Sequence, residues 1–183
     1  AVEALRKLRD TRDSLGYSQD LWRNMVELGW ASIILPEAYG GLEFGFTGLG
    51  VVMQETGRNL VASPLFATAA VGASAVLLAG SEAQKEDLPP RIAAGELTLA
   101  LALEESHHHN PWQIATRVEQ QGEQLVINGC KTFVLDGHSA DELLVVCRTA
   151  GEADSRDGIS LVRVPRDAAG VSVQRTVMAD SRN

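Results

Sequence analysis

Aromatic residues make up only 5% of this 183-residue chain, and it has two cysteines, Cys130 and Cys147. Two cysteines in a chain of this length do not form a disulfide framework, so both are expected as reduced thiols in strands or beside a turn. No apolar run reaches the roughly 20 residues of a membrane span. The longest candidate, residues 65–80, is broken by Gly72 and small side chains and is expected to be a buried helix. Positive charge is scarce as well: 16 Lys and Arg stand against 24 Asp and Glu, giving a net charge of −8 and a pI near 5.0. That balance repels nucleic acid and anionic membranes, leaving at most a local basic patch for a phosphate. No signal-peptide pattern opens the chain, and the cytoplasm is the expected compartment. Aliphatic residues, by contrast, are plentiful. Hydrophobic residues reach 45%, enough for the core of one large or two small domains.

The first half has helical spacing. Val2, Leu5 and Leu8 share one face, predicting a helix over residues 1–14 that Gly16 ends. Ser18 is placed to cap a second helix carrying Leu21, Trp22, Met25, Val26 and Leu28, stopped by Gly29. Pro36 and Gly40-Gly41 prevent a long helix after Trp30. A third helix opens at Phe46 or Thr47, with Leu49, Val52, Met53 and Thr56 as its apolar stripe. A fourth, over residues 64–79, is apolar enough to be central. A fifth covers residues 82–94, with Ser81 as cap and Gly95 as stop.

The pattern then changes to short apolar runs of strand length at residues 97–103, 116–119, 125–127, 131–135, 143–148, 159–164 and 171–177. Asn128-Gly129 between two such runs predicts a tight hairpin. Residues 151–158 are charged and expected as an exposed loop. Helices first and strands second define an α+β chain. It divides into a helical domain, 1–95, and a β-domain, 96–183, of sandwich or barrel type.

Several stretches, in order, resemble the acyl-CoA dehydrogenase family. "LWRNMVELGW" (21–30) precedes "ILPEAYGGLEF" (34–44), which resembles the family's proline, acidic, aromatic and paired-glycine segment. "QETGR" (54–58) resembles its E-x-x-G-R helix end. "GSEAQKEDLPPRIAAGELTLALALEE" (80–105) resembles its G-S-E-x-Q-K segment, L-P helix and first middle-domain strand. "VINGCKTFVLDGHSADELLVVCRT" (126–149) resembles its N-G-x-K hairpin and next strand, and "GISLVRVPRDAAGVSV" (158–173) the following pair. The resemblance implies a helical domain, a β-domain and a further C-terminal helical bundle that these 183 residues do not contain. In the family that bundle supplies the catalytic carboxylate, much of the tetramer interface and part of the adenosine contact.

The implied activity is α,β-dehydrogenation of an acyl-CoA thioester with FAD as cofactor, in lipid metabolism and fatty acid β-oxidation. Electron-transfer flavoprotein or a similar acceptor and an oligomeric state are implied as partners. By resemblance Leu101 and Leu103 lie against the flavin. Glu104 stands where many members have a flavin-bonding threonine. Phe133 matches a ring-packing tryptophan or phenylalanine, and Leu135 stands at a second threonine, with Val134 and Leu135 offering backbone groups. No residue of the chain is assigned as base. Glu104 and Glu105 are expected beside the flavin rather than at the α-carbon.

"EESHHHNP" (104–111) replaces the family's T-E-P-x-x-G-S-D loop. Three consecutive histidines, His107, His108 and His109, cannot face one metal together, so no metal is expected. A loop over flavin and thioester is the expectation, with His109 and Asn110 toward substrate. These departures resemble the small subunits of heteromeric enzymes of the pimeloyl-CoA and steroid side-chain type. A non-catalytic subunit serving as scaffold is therefore the alternative to an active dehydrogenase. A same-fold monooxygenase or nitroalkane oxidase is disfavoured, because no segment resembles their substrate loops. Trp22, Trp30 and Trp112 have core or interface explanations. Asp141-Glu142 is expected to be a solvated start of a strand, and nothing selects Arg163 or Arg166 for a phosphate.

Overall fold

A computed structural model describes residues 2–176 and 178. Helices α1 (Val2–Asp10) and α2 (Gln19–Glu27) come first. α1 is shorter than expected because Arg12 takes a left-handed φ of 51° and the Asp13 N–H closes back on the Leu8 carbonyl at 3.0 Å, which ends the helix. Ala1, its expected first residue, lies outside the described residues. Ser18 caps α2 as the sequence predicts, its hydroxyl accepting from the Leu21 N–H. Two single-turn 3₁₀ helices, Trp30–Ser32 and Glu37–Tyr39, bridge to α3 (Gly45–Arg58), which begins just before the expected position. α5 (Glu82–Ala93) opens with a capping box in which Ser81 and Gln84 satisfy each other's backbone N–H.

The expected fourth helix is divided. Residues Phe66–Gly72 form π-helical turns, and only Ala73–Ala79, α4, is α-helical. The wide turns seat this segment directly on the first strand. The buried Thr68 hydroxyl accepts the Leu99 N–H at 3.1 Å and donates to the Leu99 carbonyl at 3.4 Å. A Cβ on Gly72 would lie 2.6 Å from the Leu99 Cβ. Gly72→Ala is therefore expected to destabilise by about 1–3 kcal/mol through overpacking. The thermal midpoint should fall by about 2–4 °C per kcal/mol. An unchanged midpoint would mean that the helix and strand separate freely here.

Strands β1 (Leu99–Ala102), β2 (Arg117–Gln121), β3 (Gln124–Asn128), β4 (Glu142–Arg148) and β5 (Ile159–Pro165) join in one mixed sheet. β4 is its centre. It pairs antiparallel with β5 along its full length and parallel with β1, and it meets β2 at Arg117 and Arg148. The α+β order is as expected, and the described strands join in one five-stranded sheet. Two expected strands are missing. Residues 131–135 are irregular, and so are 171–176, with Val177 outside the described residues.

The hairpin also differs from expectation. Its two-residue turn is Gly122-Glu123, with Gly122 at φ +64°, and β2 pairs with β3. Asn128-Gly129 ends β3 instead. Gly129 is required by a close approach, since its Cβ would lie 2.2 Å from the Thr116 Oγ1.

One core runs from the helices into the sheet: Ile33, Leu35, Leu49, Val76, Leu88 and Ile92 pack with Leu97, Leu99 and Leu144. A second gathers Tyr17, Trp22, Met25, Leu65 and Ala69. Trp22 is thus a core residue, whereas Trp112 is 45% exposed beneath the Arg156 guanidinium. The start of β4 is not merely solvated, because Asp141 accepts from the Thr98 N–H and hydroxyl at 2.8 and 2.7 Å. Arg163 is committed to a bidentate pair with Glu142 and a bond to Asp87, and Arg166 donates to the Ala140 carbonyl. Cys147 is buried and Cys130 exposed, both as free thiols.

Candidate functional site

The end of β1 carries Leu101 and then, past its last residue, Leu103 and Glu104. Residues 131–135 lie beside it without forming a strand. Lys131 reaches across to the Leu103 carbonyl at 3.0 Å, and the Thr132 N–H donates to the Glu104 carbonyl at 2.7 Å. Phe133 then takes a left-handed φ of 52° and Asp136 one of 56°, conformations unusual for residues with side chains. The turn leaves the Phe133 ring 68% exposed.

Between these segments and the π-helical turns is a cleft of about 150 Å³, lined by Ala67, Val71, Leu101, Leu103, Glu104, Phe133 and Leu135. It brings together five of the six residues expected to face a cofactor. Val134 is outside the lining. Its carbonyl accepts the Gly137 N–H at 3.1 Å, whereas the N–H groups of Val134 and Leu135 have no partner among the described residues. An apolar cleft with a few polar groups at its edge suits a flat, largely apolar ligand.

Residues 104–116 form a loop beside this cleft, and one carboxylate closes its neck. Glu105 accepts the N–H of Ala115 at 2.6 Å and of Thr116 at 2.9 Å, together with Lys131 Nζ at 2.7 Å. Burial pushes the Glu105 carboxyl up, but the Lys131 ammonium and the two backbone donors outweigh it and hold its pKa at about 2. Glu105 is thus a tie between loop and sheet, and its donors leave no room for base chemistry. Sequence reasoning missed this role, although Lys131 lies inside the recognised N-G-x-K stretch.

The far side of the loop is held from below. Arg148, 1% exposed at the end of β4, donates to the carbonyls of Trp112 and Ile114 and to those of Ala153, Ser155 and Asp157.

The three histidines diverge. The His107 ring meets Phe133 edge-on at a centroid distance of 6.0 Å. The His108 N–H bonds the Ser106 hydroxyl. His109 Nδ1 lies 2.5 Å from Glu104 Oε1. Neither residue expected at the substrate lines the cleft. His109 reaches it only through Glu104, and Asn110 is exposed and bonded to Gln113. Among the described residues no group of His, Cys, Asp and Glu is arranged to hold a metal. Ala67 and Val71 were not anticipated, since helical periodicity alone assigns them to a core.

The chain matches two family models in order: the acyl-CoA dehydrogenase N-terminal domain over residues 2–96 and the acyl-CoA dehydrogenase middle domain over residues 100–181. It is 32% identical over 158 residues to a cyclohex-1-ene-1-carbonyl-CoA dehydrogenase of Geobacter metallireducens, covering 85% of this chain and 40% of that one. The chain therefore spans less than half the length of this curated relative. A variant of the Tcur3481-Tcur3483 steroid ACAD superposes with a TM-score of 0.81 at 30% identity, covering 96% of this chain and 46% of that one. A glutaryl-CoA dehydrogenase of Mycobacterium smegmatis in complex with FADH2 gives 0.75 at 25% identity, covering 98% and 49%. With helices, sheet and both family domains in the same order, the chain belongs to the acyl-CoA dehydrogenase family.

Proposed function

We propose that the chain is the helical and β portion, residues 1–95 and 96–183, of a cytoplasmic FAD-dependent dehydrogenase that introduces an α,β double bond into an acyl-CoA. The observation that carries this reading is the cleft, where Leu101, Leu103, Glu104, Phe133 and Leu135 meet on one surface. Its apolar walls, and the Leu135 N–H that has no partner among the described residues, fit the edge of an isoalloxazine ring. FAD bound there supplies the acceptor for a hydride from the acyl β-carbon. The chain's own work is to orient and to exclude water. Leu101, Leu103 and Leu135 shield one edge, Phe133 offers a ring for stacking, and the 104–116 loop carries His109 and Asn110 toward the thioester side.

No proton is taken from the α-carbon by this portion. Glu105, held ionised down to about pH 2, is too weak a base, and Glu104 is engaged by His109. The base is therefore expected from a further helical domain or a partner, and electron-transfer flavoprotein or a similar acceptor would reoxidise the flavin. Expressed with candidate partner subunits, the full-length protein should be yellow and bleach when an acyl-CoA is added. Residues 1–183 alone should show no turnover, and measurable dehydrogenation by them would contradict this assignment.

A second reading has its own observation. By the family resemblance, Glu104 and Leu135 replace flavin-bonding threonines, so the chain is alternatively a non-catalytic subunit of a heteromer. The similar structure named for two proteins, Tcur3481-Tcur3483, is consistent with that. A colourless complex would favour it.

A further inference from the structure

We propose that Glu104, braced by His109, is the hydrogen-bond acceptor that selects the imide N–H of a flavin in this cleft; this rests on the flavin reading above. Six of the seven lining residues are apolar, and Glu104 is the exception. An ionised carboxylate only accepts hydrogen bonds. One of its oxygens, Oε1, is held by His109 at 2.5 Å, and the other, Oε2, has no partner among the described residues. The side chain is 21% exposed, so a ligand filling the cleft removes much of its remaining water. A ligand without a donor then leaves a dry acceptor behind, which is unfavourable. Leu135, which lines the same cleft, has a backbone N–H without a partner among the described residues. The ligand edge that satisfies both groups alternates acceptor and donor. An oxidised isoalloxazine ring has one N–H, at N3, and a carbonyl on either side of it.

The 183-residue chain, titrated into lumiflavin and into N3-methyl-lumiflavin, tests this through quenching of flavin fluorescence. Lumiflavin is expected to bind about tenfold or more tightly than its N3-methyl derivative, the loss for one charge-assisted hydrogen bond with the acceptor left unpaired. Glu104→Leu should weaken lumiflavin and abolish the difference between the two probes. Glu104→Gln, which keeps an amide oxygen, should preserve a difference. His109→Ala should weaken both probes and retain the discrimination. Equal affinities for the two probes in the unaltered chain would overturn the role of Glu104 while leaving the flavin reading intact. Binding of neither probe would overturn both.

Discussion

Replacing Arg148 with leucine is expected to lower stability by about 3–5 kcal/mol, because several hydrogen bonds to a charged group, each worth about 1.5–3 kcal/mol, are lost together. The guanidinium is 1% exposed and pairs with no carboxylate among the described residues. Its donors instead serve five carbonyl oxygens, at 2.9–3.0 Å, from two separate loops. Each carbonyl loses a charge-assisted bond on substitution, and those that water does not reach stay unsatisfied. Leucine fills part of the volume and none of the bonds. Arg148→Lys keeps the charge, but a single ammonium with three donors cannot span carbonyls on both loops, so most of the loss should persist. Urea denaturation of the purified chain measures the effect. A loss below about 1 kcal/mol would mean that the two loops are already ordered without the arginine. Because Trp112 and Ile114 belong to the loop that carries His109, the same substitution should also weaken lumiflavin binding.

The difference between the local and the distant explains which features the sequence revealed. Ser18 and the Ser81–Gln84 box cap helices through bonds three residues away, and the amino-acid order alone contains that information. The π-helical turns do not work that way. They depend on Thr68 and Gly72 meeting Leu99, about thirty positions along the chain, so a uniform helix was the natural expectation. Asn128-Gly129 misled for the same reason. The glycine answers to Thr116 on a neighbouring segment rather than to a turn of its own. Residues 131–135 have strand composition, yet Lys131 and Thr132 tie them to the end of β1, and the positive φ of Phe133 breaks any ladder. At the cleft, the family resemblance located Leu101, Leu103, Glu104, Phe133 and Leu135. The Glu104–His109 contact and the contribution of Ala67 and Val71 required the folded chain, because each depends on how a loop or helix turn is seated.

Glu105→Gln is the second large effect expected, and its signature is a dependence on pH. The folded carboxyl has a pKa of about 2 against an ordinary value of 4.5, so folding favours its ionised form. A depressed carboxyl contributes stability that is fully present above the ordinary value and is lost as pH falls through the folded one. At pH 7 the difference corresponds to about 3 kcal/mol, at roughly 1.4 kcal/mol per unit. Glutamine retains an oxygen for the Ala115 or Thr116 N–H, but it turns an amide toward Lys131, whose ammonium is then left nearly buried with the Leu103 carbonyl as its remaining partner among the described residues. The variant should therefore be less stable by about 2–3 kcal/mol at neutral pH. Its deficit should shrink between about pH 4.5 and pH 2, because the unaltered chain loses the same interaction on protonation. Urea midpoints for both proteins measured across that range decide the matter. A deficit that stays constant down to pH 2 would mean that the stabilisation comes from the shape of the side chain, and that the loop neck is held without the negative charge.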